Sequence, residues 1–200
     1  MIGPARIAGN PFSTCWIRPD RCRYRFTRPG QFKQILDGLL KAGGGQITGP
    51  HGVGKSTLLF TLLEALTRSG HQVSRYQLHT GRRRSGEKPD NPILPAGAWL
   101  AIDGFEQLPA WRRWRLERRC RRRQIHLLVT SHRLHRFPFT WSLSPGLDLA
   151  CRLVDQLQQD TESLVNDDDV ACLFQQHDGN LRELLFSCYD LFEQRMRCLA

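Results

Sequence analysis

Gly49-Pro50-His51-Gly52-Val53-Gly54-Lys55-Ser56 spaces two glycines, a lysine and a hydroxyl in the order G-x-x-x-x-G-K-[ST]. Glycines let such a loop curl until successive backbone N–H groups point inward at a polyphosphate, and a helix starting at Lys55 adds its partial positive charge. Lys55 is then the cation that reaches the terminal phosphates, the Ser56 hydroxyl is a Mg²⁺ ligand, and Thr57 is the next nucleotide-binding candidate. Pro50, His51 and Val53 fill variable loop positions, with His51 read as neutral and exposed. A loop of this kind leaves Mg²⁺ half-coordinated. The run Trp99-Leu100-Ala101-Ile102-Asp103 offers the second carboxylate at the end of a buried strand, and Glu106, three residues on, is placed to orient or deprotonate an attacking water. Asp103-Gly104 also reads as a turn dipeptide, in which Asp103 is a local cap.

These residues need elements to hold them. Apolar positions at helical spacing predict helices over 31–41, 55–68 and 109–123, the last with Trp111, Trp114 and Leu116 facing inward. Compact apolar runs predict strands at 46–48, 71–78, 98–102, 125–130 and 139–143, with one more short strand at 24–26. Near-continuous apolar strands alternating with amphipathic helices make an α/β fold, a parallel sheet covered by helices on both faces. After Pro145 the pattern is helical only, over 147–158, 168–176 and 180–197, the middle helix starting from an Asp cap and stopping near Gly179. The expected organisation is an N-terminal arm over 1–30, a core over 31–145 and a helical, lid-like subdomain over 146–200, with 81–95 an exposed loop.

Against these motifs a family resemblance becomes specific. Gly49–Ser56 looks like a Walker A box and Leu100–Asp103 like a Walker B box, so the chain resembles a P-loop ATPase of the AAA+ type, over about residues 30–195. Asp103-Gly104-Phe105-Glu106 resembles the D-G-h-D/E form of NACHT-type and other signal-transduction ATPases. Most AAA+ and ABC ATPases carry the catalytic Glu directly after the Walker B Asp, and this chain has Gly104 there. The resemblance implies sensor-like roles for Ser131 and His132 at the end of the strand 125–130. It also implies a phosphate-reaching role for Arg182, which opens a helix similar to the sensor-2 helix of an AAA+ lid. A P-loop ATPase implies ATP and Mg²⁺ as ligands, and no N-K-x-D guanine-reading motif is present. The rival readings are a P-loop small-molecule or nucleotide kinase, and a nucleic-acid-binding or scaffolding module that holds ATP with little hydrolysis.

The remaining signal is charge. The 200 residues carry a net charge of +10, but 25 of the 29 Lys and Arg precede residue 151, against 9 of the 19 Asp and Glu. Arg112, Arg113, Arg115, Arg118, Arg119, Arg121, Arg122 and Arg123 crowd one helix with a single Glu117 among them, and Arg82–Arg84 precede it. Like charges at i+3 and i+4 repel, so this run either calls for counter-charge from a phosphodiester backbone, the acidic C-terminal segment, a second copy in a homo-oligomer or another protein's acidic surface, or is a solvated face. Seven cysteines without C-x-x-C or zinc spacing read as free or buried thiols of a reducing cytoplasm. No stretch approaches the roughly 18 apolar residues of a membrane span, and no N-terminal apolar leader is visible.

Overall fold

A computed structural model describes residues 9–19, 22–78 and 94–199. They fall into two units. One contains Phe26–Pro50 and Lys55–Leu143; the other contains the described residues up to Arg25, His51–Gly54, and those from Ser144 onward. The stretch read as an arm is therefore divided, most of it lying with the helical segment.

The first unit is the expected α/β layer. Five strands, β1 (Gly44–Thr48), β2 (Val73–Gln77), β3 (Trp99–Asp103), β4 (His126–Ser131) and β5 (Thr140–Ser142), form one parallel sheet in the order β2-β3-β4-β1-β5. Every residue of β1 and β3 is buried, and in β4 all but His126, which is what strands covered on both faces require. Three helices accompany the sheet: α1 (Gln31–Ala42), α2 (Lys55–Arg68) and α3 (Ala110–Arg122). Leu58, Leu59, Leu62 and Leu66 bury the α2 stripe, and α2 packs across β1 to β4. Residues 24–26 form no strand; the Phe26 ring instead meets Phe32 of α1 edge-on at 5.5 Å.

The inward orientation expected of Trp111 and Trp114 is wrong. They are 58% and 61% exposed, while Leu116 and Cys120 face the sheet and pack with Leu100, Ile102, Leu127 and Val129. At about 100° per residue the two tryptophans lie on the far side of the helix from Leu116 and Cys120. Only one face can be covered, and the one continuous with buried Ile125 and β4 is chosen. The three arginines 82–84, with most of the loop read over 81–95, lie outside the described residues.

The acid strand ends in a sharp turn. Gly104 adopts φ +85°, and a Cβ there would stand 2.9 Å from the Leu78 carbonyl oxygen, so neither conformation nor space admits a side chain. One 3₁₀ turn, Phe105–Gln107, follows, with Phe105 fully buried.

The helical unit comprises α4 (Leu147–Gln158), α5 (Asp167–Gln176) and α6 (Leu181–Leu199) around Leu149, Val154, Val170, Leu184, Cys188 and Phe192. Phe12 is fully buried in the same cluster, 6.0 Å from the Phe192 ring. Asn10 secures that anchor, donating from Nδ2 to the Tyr189 carbonyl at 3.0 Å and to Glu193 at 2.9 Å. Helix α5 is capped by Asn166, not by an aspartate. Asn166 Oδ1 accepts from Asp169 N–H and Asp169 Oδ2 from Asn166 N–H, both at 2.9 Å, a reciprocal box flanked by the buried pair Val165 and Val170. Arg195 of α6 grips the same Asp169 carboxylate, at 2.5 and 2.8 Å.

The Arg195 guanidinium and the Asn166 backbone N–H hold the Asp169 carboxyl below its ordinary value of 3.8. A depressed carboxylate stabilises the fold above its unfolded pKa, and that contribution disappears as pH falls through the folded value. Asp169→Ala is expected to cost about 1–2 kcal/mol at pH 7, and the gap from wild type should close below about pH 4 in thermal melts followed by circular dichroism at several pH values. A gap unchanged down to about pH 2 would remove the ionised carboxylate from the account. Gly104→Ala is expected to cost about 1–3 kcal/mol in the same assay, with Gly104→Glu at least as damaging.

Candidate functional site

The topology brings three strand ends together. Strand β4 lies between β1 and β3, pairing Thr48 with Ser131 on one side and Ile102 with Val129 on the other. The carboxyl ends of parallel strands are where open α/β sheets bind ligands. Here they present the start of the loop, the Asp103 carboxylate and the segment Thr130–His132.

Asp103, buried to 7% exposure, is the meeting point of two hydroxyls. Ser56, at the start of α2, donates to its Oδ1 at 3.1 Å, and Thr130 donates to the same oxygen at 2.5 Å. Thr130 Oγ1 in turn accepts the Gly104 N–H at 2.9 Å, so one buried side chain satisfies the turn and orients the acid. Ser56 and Asp103 are hard oxygen donors of the kind Mg²⁺ takes in ones and twos beside substrate phosphates. Among the described residues, no group of three or more His, Cys, Asp or Glu offers a metal an all-protein cage. This donor set suits a metal that arrives with a phosphate.

Lys55 is 8% exposed, and its ammonium faces the loop. It donates to the Gly49 carbonyl at 2.8 Å and to the Pro50 carbonyl, and it lies 3.1 Å from His132 Nδ1, which is itself 3.2 Å from the Gly49 carbonyl. An ammonium only donates and a carbonyl only accepts, so the tautomer of His132 decides which of the two its Nδ1 pairs with, and the other ring nitrogen is Nε2. That nitrogen lies 3.4 Å from Glu106 Oε1. His132 thus bridges the loop lysine and the carboxylate of the 3₁₀ turn, while Glu106 Oε2 is buried without a hydrogen-bond partner. A buried carboxylate oxygen left unpaired is costly, and it is free to accept from a small molecule entering the site.

Ser131 is committed elsewhere. Its fully buried hydroxyl lies 3.1 Å from His135 Nε2 and accepts the Arg133 N–H at 3.1 Å. Gln46 of β1 clamps the backbone of His135 through both amide atoms, at 2.8 and 3.1 Å. Burial, reinforced by Arg113, lowers the His135 pKa below the ordinary value of 6.5. Thr57 lies in the first turn of α2, where its carbonyl accepts from Thr61 Oγ1.

In the helical unit, His51 is exposed and Val53 buried. Gly52 has φ +72°, and a Cβ on it would meet Asn180 Oδ1 at 1.6 Å and the Arg182 Cβ at 3.2 Å. Arg182 therefore opens α6 directly beside Gly52, is itself exposed, and forms no ion pair with Glu183 or Asp178 among the described residues. Asn180 Oδ1 accepts from the backbone N–H groups of Arg182 and Glu183 at 3.2 and 3.3 Å, capping that helix. A Cβ on Gly54 would lie 3.4 Å from the ring of Tyr24, whose hydroxyl burial pushes up in pKa.

Thr130, Gln46 and Tyr24 carry no motif. Thr130 is legible as the polar end of an apolar strand one residue before Ser131; the other two have no sequence signal.

No protein-family model and no curated protein matches this chain. Solved structures do. RuvB from Thermotoga maritima, an AAA+ P-loop ATPase, matches as a lysine-to-arginine point mutant with a TM-score of 0.63 at 15% identity, over 86% of this chain and 65% of that one. An alanine-to-serine point mutant of the same protein gives 0.58 at 16%, over 82% and 62%. A structure of RuvB described as a Holliday junction branch migration motor gives 0.54 at 13%, over 87% and 73%. In the first two, the chain spans less than two thirds of the solved structure. At such identities the likeness establishes the fold: this chain has the α/β architecture of P-loop NTPases, with a five-stranded parallel sheet flanked by helices.

Proposed function

We propose that this chain binds ATP with Mg²⁺ and acts as an AAA-type ATPase or ATP-driven switch. The observation that carries the reading is the Ser56 hydroxyl on Asp103 Oδ1 at 3.1 Å: two residues 47 apart in sequence, each the metal-side member of its own motif, are joined by one hydrogen bond. In this reading Gly49, Pro50, His51, Gly52, Val53 and Gly54 cradle the phosphates through their backbone. Lys55 exchanges the Gly49 and Pro50 carbonyls for β- and γ-phosphate oxygens, and Ser56 and Asp103 hold Mg²⁺ directly or through its water shell. The metal supplies charge neutralisation at the phosphates. Thr57 supports the turn. Glu106 accepts the hydrogen bond of the attacking water through its unpaired Oε2, and His132, bonded to Lys55 and facing Glu106, couples phosphate arrival to the release of that carboxylate. His132 suits a sensor role better than Ser131, because its ring reaches the loop lysine whereas the Ser131 hydroxyl meets His135 and the Arg133 N–H. Arg182, beside Gly52, is the candidate for a second phosphate contact.

The closed geometry at Gly104 supports a relocated carboxylate. The residue after the acid cannot carry a side chain, so the water-handling group comes from Glu106, within the 3₁₀ turn that follows. This is the D-G-h-E arrangement that motivates the comparison with signal-transduction ATPases. A cytoplasmic location and self-association belong to the same reading. None of the described helices is long and apolar enough to cross a membrane.

Binding of a fluorescent ATP analogue and phosphate release, measured side by side, test the proposal. Lys55→Ala is expected to abolish both with an unchanged melting curve. Glu106→Gln should keep binding within a few fold and slow release about 100-fold or more, the range expected for loss of general-base assistance. Ser56→Ala and Asp103→Asn should each blunt the response to Mg²⁺. Unchanged ATP affinity in Lys55→Ala would overturn the nucleotide assignment, and phosphate transfer that appears only with an added acceptor would make the chain a kinase.

A further inference from the structure

Helix α3 carries a surface that the nucleotide site does not use. Its buried stripe is Leu116 and Cys120; about 180° away lies an outward arc of Trp111, Trp114, Arg115, Arg118, Arg121 and Arg122, with both tryptophans well exposed. No carboxylate lies on this arc. Glu117 stands at its edge, where burial raises its pKa against the pull of Arg121 and Arg113. A helix face that meets only water is ordinarily built from mixed charges, with Glu and Lys pairing along it. This one alternates like charges, which repel, with the two largest apolar side chains, which gain nothing from exposure.

The pairing within the arc is specific. The Arg118 guanidinium lies over the Trp114 ring, 5.2 Å from its centre, and that of Arg112 over Trp111 at 5.1 Å, so each ring has a cation over one face. Trp114, Glu117, Arg118 and Arg121 line a recess of about 360 Å³ beside the helix.

We propose that this face binds single-stranded nucleic acid, its bases stacking on Trp111 and Trp114 and its phosphates meeting Arg115, Arg118, Arg121 and Arg122. Aromatic platforms flanked by cations suit unpaired bases, because every base has a π-face that a duplex keeps stacked internally. Phosphates supply the counter-charge that the arc itself lacks, and Arg is the residue whose planar fork matches them. Stacking and phosphate contacts do not read base edges, so the proposed surface is tolerant of sequence. The inference does not depend on whether ATP is bound or hydrolysed.

The test uses the full chain and a fluorescein-labelled oligo(dT) of about 20 nucleotides, longer than the roughly 4–16 that a typical single-strand site covers, with binding read by anisotropy from about 50 to 300 mM salt. Wild type is expected to bind, with affinity falling on a log–log plot by about 0.7 per phosphate neutralised. Trp111→Ala and Trp114→Ala should each weaken binding about 5- to 150-fold, the usual effect of losing one stacking ring. Trp111→Phe and Trp114→Phe should restore most of it, which a merely electrostatic surface would not require. Arg118→Ala with Arg121→Ala should flatten the salt slope by about 1.4 and leave nucleotide-analogue binding unchanged. The proposal fails if wild type does not bind oligo(dT) at the lowest salt, if the tryptophan-to-alanine variants bind as wild type does, or if a duplex of the same length binds more tightly. Binding of polyglutamate in preference to oligo(dT) would assign the face to an acidic protein and equally overturn it.

Discussion

The site depends on one carboxylate oxygen that cannot leave. Asp103 Oδ1 accepts from Thr130 and from Ser56, and Thr130 is itself tied to the Gly104 N–H of the next turn. Asp103 and Thr130 are almost fully buried, so their hydrogen bonds are not exchanged for water, and removing either partner would strand a polar group in a dry interior. The result is a joint between three elements: the end of β3, the end of β4 and the first turn of α2. The first turn of α2, the acid strand and the strand leading to His132 keep their spacing because this joint does.

Strand order explains why such a joint exists. With β4 inserted between β1 and β3, the ends of β1 and β3 are not neighbours in the sheet, and Ser56 reaches Asp103 across that gap. The end of β4 adds to the connection: Thr130 holds Asp103 and the Gly104 turn, and the His132 ring lies between Lys55 on one side and Glu106 on the other. In this arrangement the loop lysine already makes three contacts within the protein. In the proposed reading a phosphate group would compete for this satisfied cation, and of the three contacts only the one to His132 leads on to Glu106.

The two units are stabilised by different means. The sheet unit relies on strands buried on both faces and on the Leu-rich stripe of α2. The helical unit adds polar devices to a smaller core: the Asn166–Asp169 box, the Arg195 ion pair, the Gln158 amide that exchanges two 2.9 Å bonds with the backbone of Val165, and the Phe12 anchor fastened by Asn10. Three aspartates in the first turn of α5 also suit the helix dipole there. Its negative charge is thus partly structural.

Local patterns in the sequence suffice for whatever a single element decides. The ends of α2 and α4 follow from apolar spacing, the phosphate-type loop from glycines whose positive φ no other residue tolerates cheaply, and the parallel sheet from apolar runs too continuous for a half-exposed strand. Tertiary structure alone decides what depends on competition between faces or on distant partners. Trp111 and Trp114 have the hydrophobicity of core residues, but α3 has one face to bury, and the sheet selects Leu116 and Cys120. Phe12 reads in sequence as part of an irregular arm, and only α6 gives it a pocket. Thr130 and Gln46 matter through bonds to residues 27 and 89 positions away. No local signal encodes such bonds, because a hydroxyl or an amide acquires its role only from the group that the fold places within about 3 Å of it.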